Sequence, residues 1–437
     1  MFSLDAQIVS VAVLIVVYMV LFTEKLNRAV VVLLGTSFLI LSGILSQETA
    51  VAAIDFNTLA LLSGMMIVVG IAEKSGMFQY LAISASKFCN ASPRGILALL
   101  ALITAVLSAL LDNVTTVLLI VPVTFQITRN LKIAPYPFLM IEIFASNIGG
   151  TATLIGDPPN ILIGSALNLS FMDFVFELAP LVLINLVLLI GGFDFVIGRR
   201  LKAAPEDKEA LMAVDPKEMI TDNTLLLKSV FVLAFVLGGF IGAEYLRVQN
   251  GTIAIFGAAL MLWLYTKNDE HGLRDQKVED AFSLVDWTTI FFFIGLFAIV
   301  FALETTGVLE ILGAKILSLT QNSVQQATFF FLWISAVLST FIDNIPFVAT
   351  MIPTLKSMEV GMGGREAVMP VWWALSVGSC FGGNGSLIAA SANVIVAGLA
   401  SKENERIGFA KFLIWGLPVM LVSVLVATLY FYLKYFI

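Results

Sequence analysis

The residues best suited to chemistry in this chain are acidic and amide side chains that occur twice. Asp112-Asn113, in the stretch LLDNVTTVLLIVP, returns 231 positions later as Asp343-Asn344 in FIDNIPFVATMIP. A carboxylate between apolar runs is costly in a membrane and usually marks an ion or substrate path. Each pair is also followed by a helix pattern, and the N–H groups of a helix start can bind anions or polar solutes. The alternative is that these residues only cap helices outside the membrane.

Two further segments combine double glycine, small hydroxyl residues and asparagine. They are residues 146–160, SNIGGTATLIGDPPN, and residues 378–393, GSCFGGNGSLIAASAN. Double glycine lets a helix unwind and bring its backbone groups to a ligand, and Asp157-Pro158-Pro159 cannot continue a helix. Membrane helices interrupted in this way are typical of secondary transporters. The alternative is that the small residues serve helix packing.

The acids are the candidates for a coupling-ion site. Asp157 has no acidic counterpart, because Ala390 stands at its place in the second copy; its alternative role is a helix cap. Glu142, whose counterpart is Leu375, either titrates during transport or pairs with a neighbour for structure. The one histidine, His271, falls in a polar stretch. Any proton coupling is therefore expected to use Asp157, Asp112, Asp343 or Glu142, with Na+ or H+ as the ion and no other metal or cofactor.

The elements that position these residues are membrane spans. Hydrophobic residues make up 59% of the chain and charged residues 13%, against roughly 45–50% and 25% in soluble domains. Apolar runs recur at the length of about 20 residues that crosses a bilayer. A polar stretch at 198–223 reads as a linker between two repeats, 1–197 and 224–437. The first repeat is predicted to contain spans 6–23, 28–46 and 56–73, a hairpin at 94–130, a broken span at 133–165 and a span at 174–197. The second is predicted to contain spans 224–244, 250–266 and 286–303, a hairpin at 324–356, a broken span at 366–399 and a span at 409–433.

The expected fold is an all-α integral membrane protein with two inverted-topology repeats of five transmembrane helices. Each hairpin is predicted to be re-entrant, with Asp-Asn at its tip; the alternative is two full spans joined by a turn. With both termini outside and the linker cytoplasmic, eighteen Lys and Arg residues fall in cytoplasmic loops and five outside, in keeping with the positive-inside rule. An odd number of spans per repeat turns the second repeat upside down.

These segments resemble the ion transporter superfamily that includes the ArsB arsenite permeases, the NhaD-type sodium/proton antiporters and the melanosomal P protein. LDNVTT, NIGGTATLIGDPPN, IDNIPFVATMIP and GGNGSLIAASANV are most similar to the P protein branch and its bacterial relatives. The resemblance implies elevator-type movement, usually a homodimer, and a substrate site formed by hairpin tips and broken helices. The site residues that it implies are Asp112, Asn113, Thr115, Gly149, Gly150, Thr151, Asp157, Asn160, Asp343, Asn344, Gly382, Gly383, Asn384 and Asn393.

The predicted function is proton- or sodium-linked secondary transport of a small inorganic ion or oxyacid, in a bacterial inner membrane. No Lys or Arg is expected at the site, so a neutral solute such as arsenous acid fits better than a multivalent anion, and arsenite or antimonite efflux is the leading prediction. A Na+/H+ antiporter, an anion channel of the P-protein type and a di- or tricarboxylate transporter are the alternatives. A membrane enzyme is disfavoured because the acids fall symmetrically in two repeats, and no basic patch indicates nucleic acid.

Overall fold

The structure is a computed structural model that describes residues 6–23, 25–267 and 269–437, and over these ranges it is helical with no strand. The first half of the chain forms α1 (Ala6–Phe22), α2 (Arg28–Leu41), α3 (Gln47–Ala52), α4 (Phe56–Glu73), α5 (Met77–Phe88), α6 (Pro93–Leu110), α7 (Asn113–Asn130), α8 (Tyr136–Gly150), α9 (Pro158–Leu167) and α10 (Phe171–Val196). The stretch 198–223 carries α11 (Pro205–Ala213).

The second half repeats this order with the same number of helices. It forms α12 (Asn223–Leu246), α13 (Asn250–Thr266), α14 (His271–Phe282), α15 (Trp287–Thr305), α16 (Val308–Leu319), α17 (Val324–Phe341), α18 (Asn344–Met358), α19 (Met369–Gly382), α20 (Ser391–Lys402) and α21 (Phe409–Tyr435). His271, which falls in a polar stretch of the sequence, begins α14, the counterpart of α3. The expected all-α membrane fold is confirmed.

Short helices that the apolar runs did not predict connect the third span of each half to its hairpin. These are α5 and α16, and each begins after a glycine with a left-handed backbone, Gly76 at φ +78° and Gly307 at φ +76°. Glycine populates this region without the steric cost that other residues meet. The same turn at equivalent positions shows that the duplication extends to the connecting segments.

The two hairpins are α6–α7 and α17–α18. Seven helices among the described residues are long and apolar enough to cross a membrane, and the first arms α6 and α17 are among them. Asn113 and Asn344 at the tips are nevertheless each 4% exposed, and both contact the broken spans. This burial favours re-entrant hairpins over pairs of spans joined by a surface loop.

Each broken span consists of two helices and a short unwound segment. In the first half α8 ends at Gly150 and α9 begins at Pro158; in the second half α19 ends at Gly382 and α20 begins at Ser391. Proline at the first positions of α9 is tolerated because a helix start needs no N–H there. These helices correspond to the predicted broken spans 133–165 and 366–399.

Outside the hairpins and broken spans, the helices α1, α2, α4, α12, α13 and α15 pack against one another and are called the frame here. Its two closest helix pairs each join one helix from each half, α4 with α13 and α2 with α15. Glycine permits the approach in both pairs. A Cβ on Gly64 would lie 2.6 Å from the backbone of Ala254, and a Cβ on Gly295 would lie 2.9 Å from the side chain of Val32. The hairpins and broken spans, α6–α9 and α17–α20, are called the site unit.

Candidate functional site

Both hairpin tips and both breaks border one cavity of 220 Å³. The hairpin tips and the unwound segments bring polar groups together here, between the site unit and the frame. The predicted site residues that line this cavity are Asp112, Asn113, Thr115, Asp157 and Asn344. Asp343 lines a neighbouring cavity of 320 Å³. The remaining predicted residues are buried behind the cavity wall, where they shape the two breaks.

The first hairpin tip is held by a local cap. Asp112 precedes α7, and its carboxylate accepts hydrogen bonds from the backbone N–H of Thr115, at 2.8 Å, and from the Thr115 hydroxyl. Aspartate is among the best residues for this capping role. The next residue, Asn113, donates from Nδ2 to Oδ1 of Asn147 in α8 at 3.2 Å. The cap fixes the tip, and the asparagine joins it to the first broken span.

The second hairpin tip is held from more sides. Asp343 precedes α18 and accepts a hydrogen bond of 3.0 Å from the backbone N–H of Ile345. Its carboxylate also lies 3.9 Å from the guanidinium of Arg28 in the frame. The Tyr18 hydroxyl of α1 donates to the carbonyl of Pro346 at 2.7 Å. Two residues of the frame thus contact this tip.

Asp157 is the most unusual acid of the cavity. It lies at the start of α9 with 1% of its surface exposed, and Oδ1 accepts a weak hydrogen bond from Asn344 Nδ2 at 3.4 Å. Its other oxygen, Oδ2, has no hydrogen-bond partner in the described part of the chain. A buried carboxylate oxygen without a partner is costly, so this atom is suited to hold a proton or a metal cation.

Asn160 and Asn393 have equivalent roles in closing the two breaks. Asn160 Nδ2 donates to the carbonyl of Thr151 at 3.1 Å and to that of Thr153 at 2.8 Å. Asn393 Nδ2 donates to the carbonyl of Gly383 at 2.7 Å and to that of Ser386 at 2.9 Å. Unwound backbone inside a membrane protein must find such partners. Both amides therefore satisfy carbonyl groups of their own break.

An amide network joins the two halves behind the cavity. Asn147 Nδ2 donates to Oδ1 of Asn384 at 3.0 Å and to Oδ1 of Asn393 at 3.1 Å. The Ser376 hydroxyl donates to Oδ1 of Asn160 at 2.6 Å on the other side. Asn384 Nδ2 is buried without a partner among the described residues. Asn147 and Ser376 were not predicted; their only signal in the sequence was their position inside or beside the small-residue segments.

The double glycines allow close packing. A Cβ on Gly149 would lie 2.3 Å from the carbonyl oxygen of Ala105 in α6, and a Cβ on Gly382 would lie 2.7 Å from that of Ala336 in α17. A Cβ on Gly150 would instead meet the carbonyl of Gly156 across the break, whereas Gly383 and Thr151 are buried within their breaks. This placement favours the packing alternative for Gly149 and Gly382, and their contact with a substrate stays a prediction.

Glu142 is separate from the cavity. It is fully buried in α8, where one carboxylate oxygen accepts a hydrogen bond from the Thr124 hydroxyl of α7. The other oxygen, Oε2, has no hydrogen-bond partner among the described residues. Glu142 therefore pairs with the hairpin arm, as its structural alternative required, and it does not line the space where the two tips meet.

Arg28 is a further residue that the sequence did not indicate for the site, and it overturns the expectation that no basic residue reaches the site. It is the first residue of α2, where the predicted span 28–46 also begins, and it lines both cavities. Its guanidinium donates to Thr289 Oγ1 at 2.6 Å and to Ser391 Oγ at 2.8 Å. Asn27, immediately before it, caps α2 and was the available signal that a helix starts here.

The sequence matches the citrate transporter (CitMHS) family model over residues 18–378. The chain belongs to the citrate transporter (CitMHS) family. It is a multi-pass membrane transporter and not an enzyme. A transporter of Mycobacterium tuberculosis is 39% identical over 435 residues, covering 99% of each chain, and the 46 kDa membrane protein of Mycobacterium leprae is 36% identical, covering 98% of this chain and 99% of its own.

The predicted resemblance to the P protein is confirmed. The mouse P protein is 32% identical to this CitMHS member over 98% of the chain, which spans 60% of the longer mouse protein. Among solved structures, the YdaH transporter of Alcanivorax borkumensis is similar, with a TM-score of 0.57 at 14% identity, covering 91% of this chain and 88% of YdaH. At that identity the likeness concerns the fold.

Proposed function

We propose that this CitMHS member is a secondary active transporter in which Na+ or H+ at Asp157 drives the movement of a small oxyacid anion. The observation that carries the proposal is the unpartnered Oδ2 of Asp157, buried at the cavity that both hairpin tips border. A cation or proton there would remove the cost of the buried charge. Asp112 and Asp343, the caps of the two tips, are the further coupling-ion candidates.

The charge balance around the cavity supports an anion that travels with cations. Four carboxylates, those of Asp112, Asp157, Asp286 and Asp343, line the two cavities together with one guanidinium, that of Arg28. An anion alone would be repelled by this excess of negative charge, whereas an anion with bound Na+ or H+ would not. The free N–H groups at the start of α20 add to the attraction for anionic oxygens. The start of α9 has none at its first two positions, because these are Pro158 and Pro159.

Arg28 changes the ranking of cargoes. Neutral arsenous acid was favoured over anions because no fixed positive charge was expected, and that reason no longer holds. A carboxylate, the class named in the family description "Citrate transporter", is therefore the better supported cargo. Arsenite or antimonite efflux is the second candidate, favoured by the small size of the cavity, 220 Å³.

The division into frame and site unit supports alternating access by movement of the site unit against the frame, as in an elevator. We place the protein in a bacterial inner membrane as a homodimer, with its termini outside and the 198–223 linker in the cytoplasm. The excess of basic residues in the loops on the linker side supports this orientation.

The test is flux into proteoliposomes that contain the purified full chain. Citrate, succinate, phosphate and arsenite are offered in turn, under an inward Na+ gradient, an inward proton gradient or neither. We expect accumulation of one carboxylate only when a cation gradient is imposed. Arsenite flux with no carboxylate flux would select the second candidate. Ionic current that follows voltage without any cation gradient would indicate a channel and refute the proposal, and so would the absence of gradient-driven flux for every solute.

A further inference from the structure

Arg28 connects the frame to the site unit through residues from four helix starts. Its guanidinium contacts Asp286 and Thr289, the cap and first turn of α15 in the frame. On the other side it contacts Asp343, the cap of α18, and Ser391, the first residue of α20. We call Arg28, Asp286, Thr289, Asp343 and Ser391 the latch. One side chain thus bridges the two groups of helices at the second hairpin tip.

The distances show that the two carboxylates share the positive charge. Arg28 NH2 is 3.5 Å from Asp286 Oδ2, and NH1 is 3.9 Å from Asp343 Oδ2. Its shortest bonds go instead to the two hydroxyl groups, at 2.6 and 2.8 Å. The hydroxyls therefore fix where the guanidinium sits, and neither carboxylate has a close ion pair with it. A change of charge on Asp286 or on Asp343 can therefore move the guanidinium toward the other carboxylate.

The first hairpin provides an internal comparison. The residue of α13 that corresponds to Arg28 at the helix start is Asn250, which carries no charge. Asp112, the counterpart of Asp343, makes its side-chain hydrogen bonds to Thr115 of its own helix and, in the described part of the chain, has no ion pair. The tie between a hairpin tip and the frame through a charged residue is thus specific to the second repeat.

The latch also separates two cavities. Arg28, Ser391 and Ile395 line both the 220 Å³ cavity that holds Asp157 and the 320 Å³ cavity that holds Asp343 and Tyr18. Movement of the guanidinium away from Asp343 and Ser391 would open the wall that the cavities share. Release of the latch would therefore connect Asp157 to the second space.

We propose that Arg28 is a coupling residue: it holds the second hairpin tip to the frame until a cation on Asp343 displaces it. The inference rests on the proposed cation-linked transport and names the contact that the bound cation would break. A cation and Arg28 compete for the same carboxylate, so each weakens the binding of the other by the same factor. The charged or titratable groups that face Asp343 are Arg28, Asp286, Asp157 and Tyr18. Arg28 is the single cation among them, so its removal favours an incoming Na+ or H+.

The decisive comparison is between Arg28→Gln and Asp286→Asn, which act in opposite directions. Arg28→Gln removes the competitor, and we expect half-saturation by Na+ or H+ at about a tenfold lower concentration, within the usual range of coupling between sites. It should also let cargo move down its own gradient without cation. Asp286→Asn retains the cap of α15 but removes one of the two carboxylates that contact Arg28. The guanidinium should then bind Asp343 more strongly, so half-saturation should need a higher concentration of Na+ or H+.

Two controls and a second readout complete the experiment. Arg28→Lys should recover part of the coupling, and Arg94→Gln, which removes an ion pair with Asp194 away from the cavity, should leave it unchanged. Cation affinity is measured both from flux and from the Na+ or pH dependence of Tm in detergent, which needs no transport. A folded Arg28→Gln protein whose Tm depends on Na+ and pH as in the wild type would overturn the latch, whether or not it still carries cargo. Absence of gradient-driven flux in the wild type would instead refute the proposed function.

Discussion

Asn344, at the tip of the second hairpin, donates a hydrogen bond of 3.4 Å from Nδ2 to Oδ1 of Asp157 in the first broken span. This contact joins the two repeats at a position where they differ, because the counterpart of Asp157 is Ala390. Among the described residues, the bond leaves Asp157 Oδ2 without a partner. The second repeat thus positions the carboxylate, and the first repeat supplies it.

Asp157→Asn should abolish cation dependence while retaining the fold. The amide has nearly the same volume as the carboxylate and can still accept from Asn344, but it can neither be protonated nor hold a cation by charge. We expect gradient-driven flux to fall at least about tenfold, since a loss of 1.4 kcal/mol already has that effect. Flux is measured in proteoliposomes, with Asp173→Asn as control, because Asp173 is an exposed acid at the start of α10. Wild-type dependence on Na+ and pH in Asp157→Asn would make Asp157 a structural residue.

Asp112→Asn and Asp343→Asn should each stop transport without unfolding the protein. Asparagine caps a helix about as well as aspartate, so the bonds to Thr115 N and Ile345 N can remain. What each variant loses is the negative charge at a hairpin tip. The matched control is Asp222→Asn, an exposed cap of α12, which should transport normally. Tm within a few degrees of wild type, together with lost flux, is the expected result; full flux in both variants would remove them from the site.

Gly149→Ala should destabilise the protein, whereas Gly191→Ala should not. The added methyl at Gly149 would lie 2.3 Å from the Ala105 carbonyl oxygen, whereas at Gly191 nothing lies within 4 Å. Overpacking costs about 1–3 kcal/mol, but alanine in an open helix position is favoured over glycine by roughly 0.5–1 kcal/mol. The two variants should therefore shift Tm in detergent in opposite directions. Equal Tm values would mean that α6 and α8 are not in the contact described.

Glu142→Gln should leave cation-linked transport unchanged. Glu142 is fully buried against Thr124 and does not line the cavity, and the second repeat has Leu375 in its place. Glutamine preserves both the volume and an oxygen that accepts from the Thr124 hydroxyl. Flux is measured across pH 5.5 to 8.5, a range of about three units around the region where perturbed carboxyl groups titrate. A changed pH profile with unchanged Tm would make Glu142 a coupling residue after all.

Local signals in the sequence were sufficient to predict the long apolar helices and the positions of the two helix breaks, but not the short connecting helices such as α5 and α16. Apolar runs, double glycines and the Asp157-Pro158-Pro159 break act within a few residues, so each constrains the backbone near itself. The duplication added long-range information, because it indicated that Asp112 and Asp343 occupy equivalent places in two halves.

Arg28 and the roles of individual glycines could not be predicted in the same way. A basic residue next to a predicted loop is normally assigned to the membrane surface, and only the packing of α2 on α15 brings Arg28 to Asp286 and Ser391. Similarly, a glycine in an unwound segment and one at a helix contact look identical in sequence. The neighbouring backbone, Ala105 for Gly149, decides between them.

The frame has a consequence for how the chain is made. Thr36 in α2 donates its hydroxyl proton to the carbonyl of Gly295 in α15, 259 residues later, at 2.8 Å, and α4 likewise pairs with α13 of the other half. During synthesis α2 and α4 must therefore enter the lipid before the helices on which they pack most closely, α15 and α13, have been made. A fragment truncated before residue 250 would lack both of these helices, so neither α2 nor α4 could complete its main contact.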